Sequence, residues 1–166
     1  MEKVKTFLAD ISDLLNEKNY QKIYEKVPAF RQEKADRLKH REDQAQSVGA
    51  WYLWMKIQER HKIPQDAGQS FNLSHSGKYV LCSAGVSGER VGCDIEYMRK
   101  YHERLAEKYF CSSEYERIRN ADEAERTEMF YRYWVLKESF LKATRKGLVM
   151  GLNTSEIQIP KQGDPF

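Results

Sequence analysis

Cysteine is scarce in this chain: Cys82, Cys93 and Cys111 make an odd count with no Cys-x-x-Cys pair. That argues against a disulfide framework or a zinc site and leaves reduced, mostly buried thiols. Long hydrophobic runs are missing as well. No stretch approaches the ~20 apolar residues that a bilayer crossing needs, and Met1-Glu2-Lys3-Val4-Lys5 lacks the apolar centre of a signal peptide. The expected compartment is the cytoplasm, with no membrane partner. An excess of one charge is also lacking. Against 25 Asp and Glu stand 28 Lys and Arg, a formal +3 that gives no reason to expect nucleic acid as a partner. Internal repeats and low-complexity segments are absent too.

What is present is an ordinary globular composition, 40% hydrophobic and 32% charged over 166 residues. That length allows one good core or two small subdomains. Apolar spacing predicts a helix over 5–27, from Phe7, Leu8, Ile11, Leu14 and Leu15, then Ile23, Tyr24 and Val27. Pro28 interrupts it. A second helical stretch is expected over 31–60, basic at first (Arg31, Lys34, Arg37, Lys39, Arg41) and apolar later (Val48, Trp51, Tyr52, Trp54, Met55). The breaker-rich residues 61–68 read as a loop. Residues 78–86 form a β-type run, and a turn at Ser87-Gly88-Glu89 would pair it with 90–96 as an antiparallel hairpin. Helices are expected again over 100–119 and 122–146, the second stopped at Lys146-Gly147. Residues 155–159 alternate like a short strand.

Two places carry chemistry. On an extended 90–96 segment, Asp94 and Glu96 project from one side while Cys93 and Ile95 face the other, toward a core. Two acids aimed at one point repel unless a cation or proton lies between them. All-oxygen ligation suits a hard cation, Mg²⁺ first where phosphates are near. A solvated strand face carrying two acids is the alternative. Farther along, Phe130, Tyr133, Trp134, Phe140 and Leu141 define an apolar helix stripe, with Glu138 and Lys142 together on its flank. These two are either a surface pair or part of an anion-and-metal site. Lys137 falls in the middle of the stripe, so it must snorkel out or reach an anionic partner.

Three stretches occur in order: Phe71-Asn72-Leu73-Ser74-His75-Ser76-Gly77, Val91-Gly92-Cys93-Asp94-Ile95-Glu96 and Trp134-Val135-Leu136-Lys137-Glu138-Ser139-Phe140-Leu141-Lys142. Together they closely resemble the signature motifs of 4′-phosphopantetheinyl transferases of the surfactin-synthetase-activating (Sfp) type, a similarity running over residues 28–159. The resemblance implies an α+β fold of two pseudo-twofold α/β halves. Its domains would be an N-terminal helical region, 1–70, completing the first half, and a core region, 71–166, with the Mg²⁺ and coenzyme A site. The family's further strands after 155–159 have no counterpart here, so the second half is expected to be cut short. The Gly-Lys-Pro segment that usually precedes the first motif is missing as well, and Gln46 stands where relatives often carry a basic residue.

The implied activity is Mg²⁺-dependent transfer of phosphopantetheine from coenzyme A to a serine of an apo-acyl or peptidyl carrier protein, releasing 3′,5′-ADP. By motif position, Asp94, Glu96 and Glu138 would hold Mg²⁺. Glu138 would also be the favoured base, Lys142 would neutralise charge on the attacked phosphate, and His75 would complete the catalytic set. Coenzyme A would be bound by Arg31, Lys34, Ser47, Ser74, His75, Lys137 and Lys142. Glu114 matches a further family acid near the metal. Two other readings compete: a non-catalytic coenzyme A or carrier binder, and a Mg²⁺-dependent phosphohydrolase.

Overall fold

The computed structural model describes residues 4–63, 70–85, 90–145 and 151–160. The chain divides into two compact units, Met1–Tyr97 and Met98–Phe166. Residues 71–85 pair in one sheet with the N-terminal strand, and all three strands lie in the first unit.

In the first unit the chain begins as a strand, β1 (Val4–Asp10), and not as the expected helix. Its exposure alternates residue by residue, and it pairs antiparallel with β3 (Tyr79–Gly85) from Val4↔Gly85 to Asp10↔Tyr79. Seven paired residues outweigh a helical spacing that local sequence alone would favour. Leu8 and Leu15 show the cost to the amphipathic reading, at 58% and 52% exposed. Ile11 and Leu14 do enter the core, but a 3₁₀ turn at Ser12–Leu15 delivers them. Ser12 hydrogen bonds hold the Asp10 carboxyl down to about 2. Helix α1 (Glu17–Tyr24) follows, capped by Asn16, whose side chain accepts from the Asn19 amide at 3.3 Å.

The expected helix over 31–60 is two helices, α2 (Ala29–Asp36) and α3 (Arg41–His61). The break at 37–40 has partners of its own: the Leu38 amide donates to Ala35 and the Gln44 side chain donates to the Leu38 carbonyl at 2.9 Å. Strands β2 (Phe71–Ser76) and β3 are joined through Gly77, whose φ of +53° favours a residue without Cβ. The sheet order is β1-β3-β2. Because β3 is central, with a strand on each side, the 90–97 segment cannot pair with it as a hairpin. That segment runs beside β2 instead. Helix α3 covers the sheet, with Trp54 stacked on Phe71 at 4.1 Å and Ile57, Cys82 and Ala84 in the same cluster. Burial pushes the Cys82 thiol up to about 12, which fits an inert core residue.

In the second unit, α4 (Glu103–Tyr109) and α5 (Ser112–Asn120) replace the single helix expected over 100–119. Cys111 caps α5, and its amide donates to the Glu114 carboxylate at 2.8 Å. Helix α6 (Glu123–Thr144) matches the expectation over 122–146. Its end is Arg145 in the left-handed region, and the predicted stop at 146–147 lies outside the described residues. Phe130 and Tyr133 are core, but Phe140 is 41% exposed, and the buried stripe is continued by Lys137 and Leu141. Residues 155–159 alternate in burial as expected yet join no ladder among the described residues.

Lys137 is 2% exposed and Glu114 1%, paired at 2.8 Å. The ammonium also donates to the carbonyls of Leu152 at 2.8 Å and Ser155 at 2.5 Å. The second Glu114 oxygen accepts from the Ile157 amide at 2.7 Å. One ion pair thus ties α5, α6 and the 152–157 segment together. Helices plus one small antiparallel sheet among the described residues make the chain α+β. No helix among the described residues is long and apolar enough to cross a membrane.

Two substitutions test this packing. A Cβ on Gly49 would lie 2.8 Å from Ile11 Cγ2 and 3.1 Å from Leu14 Cδ1. Gly49→Ala is therefore expected to destabilise by about 1–3 kcal/mol in chemical denaturation. Lys137→Met leaves a buried carboxylate without its cation and is expected to cost about 3–5 kcal/mol. Adding Glu114→Gln, which removes the charge and keeps an acceptor, should recover part of that loss. A double variant no more stable than Lys137→Met would refute the pairing.

Candidate functional site

The acids singled out in the sequence lie on the 90–97 segment, which has no ladder of its own. Side chains of β2 hold it. Asn72 Oδ1 accepts from the Cys93 amide at 3.0 Å, Ser74 Oγ from the Ile95 amide at 3.3 Å and Ser76 Oγ from the Tyr97 amide at 2.9 Å. The same two hydroxyls donate to the acids: Ser74 to Asp94 Oδ1 at 2.8 Å and Ser76 to Glu96 Oε2 at 3.2 Å. Cys93 is buried, on the core side expected of it, while Ile95 is half-buried like Asp94. The structure therefore brings together Asp94, Glu96, Ser74 and Ser76. Strand alternation gives His75 a different exposure from its neighbours: it is exposed, whereas Ser74 is buried.

The basic residues sit on the α2 and α3 pair. Arg31 is half-buried, its guanidinium 4.3 Å from the Trp51 ring centroid, and burial lowers its pKa. Phe30 meets Trp51 edge-on at 5.0 Å and locks the two helices. Arg31 and Lys34 are three apart on α2, hence on one face, and Lys34 is exposed. Ser47, one turn before Trp51 on α3, is buried. Among the described residues neither the Ser47 hydroxyl nor Arg31 Nε has a hydrogen-bond partner. Buried polar atoms left so are uncommon in folded proteins and are usually met by a polar group, a water or an ion. Gln46 is buried and donates to the Gly77 carbonyl at 2.8 Å, which fixes the β2–β3 turn against α3. At this position the residue serves the fold.

Glu138 and Lys142 lie in the second unit, four residues apart on one face of α6, both half-buried. Lys137 requires a correction. The motif position makes it a coenzyme A ligand, yet its ammonium is enclosed by Glu114 and two carbonyls, with Cys111 Sγ at 3.9 Å. The anionic partner it needed is Glu114. For the same reason Glu114 is a structural acid here, its oxygens taken by Lys137, Cys111 and Ile157.

Asp94 and Glu96, two residues apart and each held by a hydroxyl donor, form an oxygen donor set that fits a hard cation. Among the described residues no group of three or more His, Cys, Asp or Glu is assembled to hold a metal. Ser76, which the motif reading did not single out, joins Glu96 and the Tyr97 amide through one hydroxyl. Its signal was available: Asn72, Ser74 and Ser76 put small polar groups on one face of β2, where period two would otherwise call for apolar residues.

The model of the 4′-phosphopantetheinyl transferase superfamily matches residues 90–166. The 4′-phosphopantetheinyl transferase Sfp of Bacillus subtilis is 34% identical over 101 residues, covering 61% of this chain and 44% of that one. A second Bacillus subtilis 4′-phosphopantetheinyl transferase is 29% identical over 155 residues, covering 82% and 68%. The 4′-phosphopantetheinyl transferase HetI of Nostoc is 39% identical over 96 residues, covering 57% and 39%. The chain thus spans less than half the length of Sfp and HetI. On its motifs and these matches, the chain is similar to the 4′-phosphopantetheinyl transferases of the Sfp type.

Proposed function

We propose that this protein transfers the 4′-phosphopantetheine group of coenzyme A to a serine of an apo-acyl or peptidyl carrier protein. The observation that carries the reading is the pair Asp94 and Glu96, set side by side along β2 by Ser74 and Ser76. The reaction would run in the cytoplasm and need neither membrane nor nucleic acid.

Displacement at a pyrophosphate phosphorus needs positioning and charge neutralisation more than covalent help. Mg²⁺, when bound, supplies part of that neutralisation at the pyrophosphate. Asp94, Glu96 and Glu138 are its proposed ligands. Arg31, Lys34 and Ser47 are proposed to grip the 3′-phosphate. Among the described residues the Ser47 hydroxyl and Arg31 Nε lack hydrogen-bond partners, and both could donate to an anion, which supports this. Ser74 and His75 are proposed to contact coenzyme A phosphates, His75 from its exposed position. The incoming serine hydroxyl must lose its proton as it attacks, and Glu138 takes it. Lys142 neutralises the phosphoryl oxygens as the new P–O bond forms and the bond to the 3′,5′-ADP oxygen breaks.

Incubation with coenzyme A, Mg²⁺ and a panel of apo-carrier proteins tests the reading by carrier mass. The expected outcome is a gain of one phosphopantetheine that is abolished by Asp94→Ala and by chelation of Mg²⁺. Glu138→Gln is expected to lower turnover by about 10²–10⁴-fold, the usual worth of a general base, with a smaller effect on coenzyme A binding. Nucleotide release without carrier modification would replace this reading with a phosphohydrolase. Coenzyme A binding with no product from any carrier would leave a binding protein.

A further inference from the structure

An ordinary strand beside β2 would give its backbone amides to β2 carbonyls. The 90–97 segment does something else. Alternate amides, those of Cys93, Ile95 and Tyr97, go to the side chains of Asn72, Ser74 and Ser76, each across the same sequence separation of 21. At two of these rungs the hydroxyl is used twice. A serine hydroxyl has one proton to donate and lone pairs to accept with. Each lone pair used here takes an amide proton, and the hydroxyl proton goes to the acid one residue earlier, across a separation of 20. Acid and backbone are therefore held by one atom. Asn72, whose Oδ1 accepts from the Cys93 amide, closes the row on the core side.

We propose that Ser74 and Ser76 are a matched pair of positioning residues for the Asp94 and Glu96 carboxylates, and that Ser76 sets the aim of Glu96. The inference rests on the metal-binding reading of those acids. It assigns to Ser76 a role distinct from phosphate contact: the hydroxyl orients a cation ligand and at the same time anchors the chain that carries it. Two carboxylates of like charge would otherwise swing apart, since mutual repulsion favours separation. Outer-shell hydrogen bonds of this kind typically matter about 10–100-fold in metal affinity.

The Ser76 rung is the one to test, because Ser74 is also a proposed coenzyme A contact. Mn²⁺ binding to the full chain in the presence of coenzyme A can be read by electron paramagnetic resonance, alongside amide hydrogen exchange at Tyr97. Ser76→Ala is expected to remove protection at the Tyr97 amide and to weaken Mn²⁺ binding about 10–100-fold. Ser76→Thr, which keeps the hydroxyl, should restore both. Lost protection at Tyr97 with wild-type Mn²⁺ affinity would overturn the positioning role while leaving the metal reading intact. If wild-type protein binds no Mn²⁺, or binds it equally well after Asp94→Ala, the metal reading fails and this inference falls with it. Unchanged exchange at Tyr97 in Ser76→Ala would show that the rung does not exist in solution.

Discussion

Strand β3 has a partner on each side, β1 and β2, and most of the first unit follows from that. With no edge left on β3, the 90–97 segment cannot join it and lies beside β2. Backbone amides there still require partners. They find them in Asn72, Ser74 and Ser76, three short polar side chains at alternate positions. The acids are carried along, each bound to the hydroxyl that also holds the next amide. Sheet order thereby becomes a statement about where two carboxylates point.

The second unit depends on a different kind of constraint. Its helices α5 and α6 and the 152–157 segment converge on one buried ion pair, Glu114 with Lys137. Desolvating two charges is costly, and only full hydrogen bonding offsets it. Here that condition is met, with carbonyls around the ammonium and amides on the carboxylate. Such an arrangement tolerates little sliding of α6. Glu138 and Lys142 sit on that same helix within about one turn of Lys137, so a helix fixed by its buried face presents its half-buried face in a defined orientation.

Parts of this were legible in the residues alone. The helix over 122–146, the β run ending near 85 and the core side of Cys93 follow from periodicity and β-branched content. Lys137 in an apolar stripe had either to snorkel out or to reach an anionic partner, and it reaches Glu114. Other readings failed for identifiable causes. The first seven described residues have spacing compatible with a helix, and long-range pairing with β3 overrode it. A hairpin pairing the Asp94 segment with β3 follows from sequence proximity, but strand order is set by β1, distant in sequence, with Val4 paired to Gly85 and Asp10 to Tyr79. Phe140 fitted the apolar wheel and is exposed because the packing face of α6 turns toward Lys137 and Leu141.

Residue order alone supplies the inventory: two acids at alternate positions, a Ser-His-Ser strand, and a Lys-Glu pair followed four residues later by lysine. Residue type and short spacing are local, and chemistry can be read from them directly. Tertiary structure alone decided which members of that inventory are spent on the fold. Lys137 and Glu114 are consumed by burial, since an ion pair out of water must satisfy itself completely. Ser76 gained a role because β2 faces a segment with amides to place. Both outcomes depend on contacts between distant parts of the chain, which no local pattern encodes.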